Sequence, residues 1–252
     1  MCLIVIAHRV STELPLVVAA NRDEFHARPT QDAHWWPDKP DILGGRDLQA
    51  AGTWLAVARN GRFAAVTNYR DADQPQARLQ SRGHLVTGFL ESDKAPIDYV
   101  STLDGSRFAG FNLLVGDGDT LAYRCNQNGP ARDLAPGIYA VANATLDTPW
   151  PKVERTKKAL GNLIETGRVN ETELLRLLDD RERARVSEVQ ADGLPFDKAH
   201  ALTAPFVVMP DYGTRCSTVL TRDDRGNLRF TEKRFDAAGR PTGQSSFRIT
   251  VS

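Results

Sequence analysis

The 252-residue chain has few cysteines, no excess of charge of one sign and no long apolar run. Its three cysteines, Cys2, Cys125 and Cys216, are too few and odd in number for a disulfide framework, which favours a reducing compartment. Lys plus Arg and Asp plus Glu number 32 each. No net charge therefore draws the chain toward nucleic acid or an anionic membrane, and we expect neither as a partner.

The apolar runs are too short for a membrane span, which needs about 20 residues. The first run, Leu3 to Ala7, is also too short for a secretory signal, and His8 and Arg9 follow it at once. No residue spacing indicates a zinc site, a phosphate-binding loop or a dinucleotide fold. The sequence predicts a soluble, cytoplasmic protein without a metal or other cofactor, and it leaves the oligomeric state open.

Cys2 is the first candidate for chemistry. Removal of Met1 would leave a thiol and a free α-amine on the same residue. The amine has a pKa of about 7.7–8.0 and the thiol one of about 8.5, so the amine can take the thiol proton near neutral pH. Nucleophile and base then lie on one residue. Many cytosolic proteins also have a small second residue without such chemistry, so the partners of Cys2 decide between the two interpretations.

Polar residues follow the second apolar run, where a hairpin would bring them beside the chain start. Leu3 to Ala7 predicts a buried strand, and Leu14 to Ala20 predicts the strand that returns beside it. Asn21 to Glu24 then end that strand, so Asp23 is expected within reach of the Cys2 amine, which it can hold by a charge-assisted hydrogen bond. The alternative is that these four residues form a solvated charged loop.

Two further segments carry candidate site residues. The stretch from Phe25 to Asp41, with three prolines and the pair Trp35-Trp36, predicts an irregular aromatic loop that lines a site or covers the edge of the core. Asn60-Gly61 lies between two apolar runs, which is typical of a two-residue hairpin turn. The second strand of that hairpin is expected to end at Asn68.

The remaining pattern alternates between helical and extended segments. Helices are predicted from Ser81, over 95–103, from Pro149 to Pro151 onward and over 171–178, and strands are predicted over 110–115, 120–124, 138–142, 216–221, 228–235 and 246–251. Helical pairs between hairpins are typical of antiparallel sheets with helices on their outer faces. We predict an α+β fold, a four-layer α/β/β/α sandwich of two antiparallel sheets.

Several motifs in order resemble the NRDE family, which includes the transport and Golgi organisation proteins of eukaryotes. The resemblance rests on Met-Cys at the start and on the motifs 21–25, 28–29, 44–47, 52–55, 67–70 and 212–219, so it covers nearly the whole chain. The family is itself similar to the choloylglycine hydrolase and penicillin V acylase group of N-terminal nucleophile hydrolases. The resemblance implies that sandwich fold, and we treat residues 1–252 as one domain.

The resemblance implies roles for individual residues. Cys2 matches the nucleophile and Asp23 the aspartate that steadies its amine, while Asn68 and Asn143 match the two asparagines of the oxyanion hole. The arginine that the hydrolases carry three residues before their aspartate is Ala20 here, and Arg22, next to Asp23, is expected to point to the opposite face. Arg215 is the candidate to supply positive charge near Cys2. The residues expected to contact substrate are Asn21, Arg22, Trp35, Trp36 and Tyr69.

Three functions follow as hypotheses. The first is a cysteine amidohydrolase or acyltransferase that acts on C–N bonds other than peptide bonds, in a small acyl amide, or on an acyl thioester. The second is a non-catalytic carrier of haem or of an acyl or lipid ligand in the same cleft, with His8, His26, His34 and Cys2 as candidate haem ligands. The third is a scaffolding role, for which the polar residues at the strand ends would not converge.

Overall fold

The computed structural model describes residues 2–70, 80–191 and 193–251, and these residues form two antiparallel sheets with helices outside them. The strands are β1 (Cys2–His8), β2 (Leu16–Phe25), β3 (Thr30–Trp36), β4 (Lys39–Asp47), β5 (Leu55–Ala58), β6 (Phe63–Asn68), β7 (Phe111–Gly116), β8 (Leu121–Cys125), β9 (Arg132–Asp133), β10 (Gly137–Val141), β11 (Tyr212–Arg222), β12 (Leu228–Phe235) and β13 (Pro241–Ile249). The α-helices are α1 (Gly83–Leu90), α2 (Pro96–Thr102), α3 (Pro151–Glu165), α4 (Glu171–Leu178) and α5 (Phe196–Ala201).

The strand order places both ends of the chain in one sheet. The first sheet has the order β10-β1-β2-β11-β12-β13, and the second has the order β3-β4-β5-β6-β7-β8-β9. All of the strand pairs in both sheets are antiparallel. The strand that begins at Cys2 is therefore an interior strand, between the edge strand β10 and β2.

Strand alternation explains the layers. Ile4 and Ile6 of β1 belong to the apolar core between the sheets, whereas Leu3 and Val5 belong to the core under α3 and α4. A third core lies between the second sheet and the helices α1 and α2. The order of layers is therefore helix, sheet, sheet, helix, and the predicted α/β/β/α sandwich is confirmed.

Local predictions differ in outcome. The hairpin at Asn60-Gly61 is confirmed, because β5 pairs with β6 and Gly61 has a φ of +86°, the left-handed region in which glycine has no steric penalty. The expectation of an irregular loop over 25–41 is wrong, since β3 and most of the β3–β4 hairpin lie there. That hairpin forms one edge of its sheet and its register shifts twice, so its apolar residues do not alternate regularly.

None of the helices within the described residues combines the length and the apolar character that a membrane crossing requires.

Candidate active site

A polar cavity of about 320 Å³ opens at the start of β1. Cys2 is half-buried in its wall. The charged and polar residues that line it with Cys2 come from both sheets, the connections between them and the start of α1: Arg22, Asp23, Glu24, Arg28, Asp47, Thr53, Asn68, Gln80, Ser81 and Arg82. The cavity thus lies where the first sheet, the second sheet and α1 meet.

Strand pairing places Arg22 beside Cys2. The two residues are direct partners in the β1–β2 pair, so their side chains project from the same face of the sheet, toward the second sheet. The Arg22 guanidinium lies 4.3 Å from the centroid of the Trp54 ring, donates to Thr30 Oγ1 at 3.1 Å and is 3.6 Å from Asp47. Arg22 therefore points away from the Asp23 face, as predicted, and this direction brings it to Cys2.

Close packing of glycine holds the Trp54 ring in place. A Cβ on Gly45 would lie 2.3 Å from the Trp54 ring, so only glycine allows the ring to pack on β4 at this position. The ring then offers its face to Arg22, and a cation over a tryptophan face is stabilised by about 0.5–2 kcal/mol. The Gly-Gly pair of the sequence motif thus supports the position of Arg22.

Asp23 lies within β2 and is 1% exposed. Its Oδ1 accepts a hydrogen bond from Thr214 Oγ1 at 2.7 Å, and its main-chain carbonyl accepts one from the Tyr212 hydroxyl at 2.7 Å. Burial raises the pKa of the Asp23 carboxyl, while the Lys152 ammonium and the Thr214 hydrogen bond act in the opposite direction. β11 pairs with residues 21–24, so these residues belong to β2, and the alternative of a solvated charged loop is wrong.

Lys152 is a buried cation next to this pair. Its side chain is 1% exposed, and its Nζ has no hydrogen-bond partner within the described residues. Burial lowers the pKa of the Lys152 ammonium, and the nearby Asp23 carboxylate and Cys2 thiolate act against that shift. Asp23, Cys2 and Lys152 are thus electrostatically linked, although the helix of Lys152 packs on the outer face of the first sheet.

The Cys2 thiol is subject to opposing influences. Burial raises the pKa of the thiol, and the negative charge of Asp23 adds to this effect. The Asp23 main-chain amide and the Arg22 guanidinium both lower it. Proton removal from Cys2 consequently needs a base close to the sulphur atom, and its extent depends on the charges that surround it. Met1, whose removal would free the Cys2 amine, lies outside the described residues.

The two candidate asparagines occupy different positions. Asn68 ends β6 and lines the cavity with Cys2. Asn143 is 1% exposed, and its Nδ2 donates to the main-chain carbonyl of Asn68 at 2.8 Å. Its Oδ1 has no hydrogen-bond partner in the part of the chain that the structure describes. The Asn143 amide thus holds the end of β6 against the end of β10, and Thr67 strengthens this connection by donating to the Ala142 carbonyl at 2.6 Å.

Four of the five residues that were expected to contact substrate lie outside the cavity of Cys2. Asn21 projects from the outer face, where its amide donates to the carbonyls of Leu178 and Pro205 at 2.8 and 2.9 Å. Trp36 is fully buried under α1, and Trp35 packs against Arg59. Tyr69 packs against the core between the sheets and is not among the described cavity residues. Of the five, only Arg22 lines the cavity.

A β-bulge explains the position of Arg215. The register between β11 and β2 shifts from Thr214–Asp23 to Cys216–Arg22, so Arg215 has no partner residue on β2. Its Nη1 donates to the main-chain carbonyls of Phe25, His26 and Arg28 at 2.9, 3.2 and 3.2 Å. Arg215 therefore holds the turn after β2 and lines a neighbouring cavity, and Arg22 is the arginine that faces Cys2.

No histidine of the described residues lines the cavity of Cys2. His8 is buried at the other end of β1, about 20 Å from Cys2 along the strand. His26 bonds to the Met209 carbonyl at 3.1 Å, and His34 bonds to the Asp32 carbonyl at 2.7 Å. The candidate histidines therefore do not lie beside Cys2. The residues that the structure describes also contain no group of three His, Cys, Asp or Glu side chains that could hold a metal ion.

Several residues in the cavity wall or close to Asp23 were not candidates from the sequence, among them Arg28, Asp47, Trp54, Arg82 and Lys152. Arg28, Asp47 and Trp54 stand inside the motifs that carry the family resemblance, which was the available signal. The sequence signal for Lys152 is weaker. Lys152 lies on the buried face of α3 with Thr156, Leu160 and Leu163, where the helical spacing predicts an apolar residue. Nothing in the local sequence marks Arg82.

Comparisons with known proteins show the family and the fold of the chain. The profile of the family described as Transport and Golgi organisation 2 matches residues 1–237. The Transport and Golgi organization protein 2 homolog of Bos taurus is 35% identical over 241 residues, which cover 86% of this chain and 86% of that protein.

Solved structures show the same fold at low sequence identity. An N-acylethanolamine-hydrolyzing acid amidase ortholog of Caenorhabditis elegans superposes with a TM-score of 0.51 at 12% identity, covering 87% of this chain and 92% of the other. A variant of the conjugated bile acid hydrolase of Clostridium perfringens, in which a cysteine is replaced by alanine, superposes with a TM-score of 0.56 at 7% identity. The superposition covers 100% of this chain and 93% of the other. The chain belongs to the Transport and Golgi organisation 2 family and has the fold of the N-terminal nucleophile hydrolases.

Proposed function

We propose that the protein is a cysteine amidohydrolase or acyltransferase of the N-terminal nucleophile type, which acts on a small acyl amide or acyl thioester. One observation carries the proposal: Cys2 is half-buried in a polar cavity whose wall also contains Asp23, Arg22 and Asn68. The volume of about 320 Å³ suits a small substrate. The names of the two solved neighbours describe an amidase and a hydrolase, which supports the same class of reaction.

The reaction begins with proton transfer within Cys2. Removal of Met1 frees the α-amine, which takes the proton of the thiol and becomes an ammonium group beside Asp23. The Asp23 carboxylate holds this group, and the Thr214 hydroxyl fixes the carboxylate by its 2.7 Å hydrogen bond. Arg22, the cross-strand partner, stabilises the thiolate. The thiolate then attacks the substrate carbonyl and forms the new S–C bond.

The tetrahedral intermediate carries its negative charge on the former carbonyl oxygen. The Asn68 amide at the cavity wall donates to this oxyanion, and Asn143 positions Asn68 by holding its main-chain carbonyl. The C–N bond breaks as the α-ammonium group of Cys2 gives its proton to the leaving nitrogen. Water, or an acceptor amine or thiol, then attacks the acyl carbon and gives a proton to the α-amine of Cys2. The S–C bond breaks, the carboxylic acid or the transferred acyl product leaves, and the proton returns to the Cys2 sulphur.

Mass spectrometry and a substrate screen test the proposal together. The intact mass of the isolated protein is expected to lack Met1. Incubation with a series of acyl p-nitroanilides and acyl thioesters is expected to release product and to add one acyl group to Cys2. Because Cys125 and Cys216 are buried, one equivalent of iodoacetamide is expected to alkylate Cys2 selectively. This alkylation is expected to stop turnover, because it blocks the nucleophile. Retention of Met1 in the isolated protein, or turnover that survives alkylation of Cys2, would contradict the proposal.

Lys152→Met is expected to move the acid limb of the kcat/KM profile to higher pH by about one unit. The ammonium of Lys152 lowers the pKa of Asp23, so its loss raises that pKa further, and the carboxylate is protonated at a higher pH. The acid limb reports this protonation if ionised Asp23 holds the Cys2 amine.

Two matched variants control this measurement. Lys152→Arg keeps the positive charge and is expected to shift the limb less. Lys157→Met removes a lysine from the same helix, where it is paired with Asp147 at 2.8 Å, and is expected to leave the profile unchanged. An acid limb at the same pH in Lys152→Met and in the wild type would show that Lys152 does not act on Asp23.

A further inference from the structure

The cavity of Cys2 contains an arginine that forms no ion pair with any residue that the structure describes. Arg82 is half-buried, and its one described hydrogen bond donates from Nη1 to the neutral carbonyl of Gly110 at 3.1 Å. None of the ion pairs among the described residues includes it. A guanidinium has five N–H donors, and the described residues accept from only one of those of Arg82, so the others can bind a ligand.

The other charges of the cavity are already paired. The carboxylate of Asp47 lies 2.6 Å from Arg28 Nε and 3.6 Å from Arg22, and Glu24 lies 3.8 Å from Arg28. These contacts pair Asp47 and Glu24 with Arg28 and Arg22. The third carboxylate of the cavity wall, Asp23, accepts from Thr214 and is compensated by the nearby Lys152 ammonium. Burial lowers the pKa of the Arg82 guanidinium, and the negative charges of the Cys2 thiolate and of Glu24 oppose this shift only in part.

Main-chain packing fixes Arg82 in this position. A Cβ on Gly52 would lie 2.6 Å from the main chain of Gly83, so the two glycines let the loop before β5 and the start of α1 meet directly. Arg82 immediately precedes this contact, and both glycines line the cavity with it and with Cys2. Main-chain packing therefore sets the position from which the Arg82 side chain reaches the cavity, and the hydrogen bond to Gly110 directs its guanidinium.

We infer that the substrate of this site carries an anionic group, a carboxylate or a phosphate, which the Arg82 guanidinium binds while the acyl carbonyl faces Cys2. The inference rests on the proposed function, since it names the substrate class of the same site. The planar guanidinium matches a carboxylate or phosphate in two parallel hydrogen bonds. A hydrogen bond to a charged group contributes about 1.5–3 kcal/mol, which corresponds to a preference of about 10- to 100-fold over a neutral analogue.

Two pairs of substrates of matched shape test the inference. On the acyl side, succinyl p-nitroanilide is compared with 4-methylpentanoyl p-nitroanilide. On the leaving-group side, N-butanoylglycine is compared with N-butanoylisobutylamine. The anionic member of at least one pair is expected to have the higher kcat/KM by about 10- to 100-fold. Arg82→Met is expected to remove this preference mainly through KM, and Arg82→Glu is expected to reverse it.

Arg59→Met is the control, because Arg59 is an exposed arginine that packs on Trp35 away from the cavity. This variant is expected to keep the full preference for the anion. Equal kcat/KM for the two members of both pairs would overturn the inference. An equal loss on anionic and neutral members in Arg82→Met would also overturn it, since that result would show an effect on Cys2 itself.

A second measurement separates this inference from the proposed function. Succinate and inorganic phosphate are each tested for protection of Cys2 against alkylation by iodoacetamide, which requires no turnover. Protection by either anion in the wild type, and none in Arg82→Met, supports the anion site even if no amide is cleaved, and the more effective anion identifies the headgroup. Equal alkylation rates with and without both anions would overturn the inference.

Discussion

Cys2→Ala is expected to lower kcat for acyl amides by about 10⁴-fold or more, while the protein keeps its fold. The sulphur atom is the group that forms the covalent bond to the acyl carbon, and no other thiol lines the cavity among the described residues. The side chain is half-buried at the cavity wall, so its truncation leaves the three apolar cores intact. Steady-state kinetics with the best substrate of the screen, together with thermal unfolding, measures both expectations.

Cys125→Ala is the matched control for that variant. Cys125 belongs to the core between the sheets and is 1% exposed, so its removal is expected to cost stability and to leave kcat unchanged. A Cys2→Ala protein that still cleaves acyl amides at the wild-type rate would eliminate the covalent mechanism.

Asn68→Ala is expected to lower kcat by about 10²–10³-fold with a smaller change in KM, because a donor to an oxyanion acts mainly in the transition state. Among the described residues that line the cavity of Cys2, Asn68 is the one asparagine. Pre-steady-state acylation of Cys2 is the direct measurement, since it isolates the step in which the oxyanion forms.

Asn143→Ala separates positioning from direct donation. The buried Asn143 amide is bonded to the Asn68 carbonyl at 2.8 Å, so its loss leaves that carbonyl without its donor and is expected to cost about 1–3 kcal/mol of stability. We expect a smaller loss of kcat than in Asn68→Ala. If Asn143→Ala lost as much kcat as Asn68→Ala at unchanged stability, Asn143 would be a direct donor and the division of roles would be wrong.

Much of the fold could be predicted because its signals are local. The apolar run at 3–7, the turn at Asn60-Gly61 and the apolar spacing of 85–90 each report the structure of neighbouring residues. The β3–β4 hairpin could not be predicted because it lies at a sheet edge, where the half-buried Trp35 stands next to the buried Trp36 and two register shifts obscure the alternation. β11 begins at Tyr212, earlier than its apolar run, because a register shift between Thr214 and Cys216 interrupts the alternation of its first residues.

The positions of some site residues also follow from local sequence signals. The sequence by itself determined that Cys2 and Asp23 are close, because a short hairpin joins their strands and sets the register Cys2–Arg22. It also determined Asn68 as a polar residue at the end of a strand. Alternation along β2 further separated the directions of Arg22 and Asp23.

Only the tertiary structure decided which other groups reach Cys2. Arg215 is turned away by a bulge against β2, and Asn143 is held by a carbonyl 75 residues away in the chain. Lys152 and Arg82 come to the cluster from two helices that lie in different layers. These positions depend on packing between distant segments and on register, and neither is encoded in the spacing of neighbouring residues.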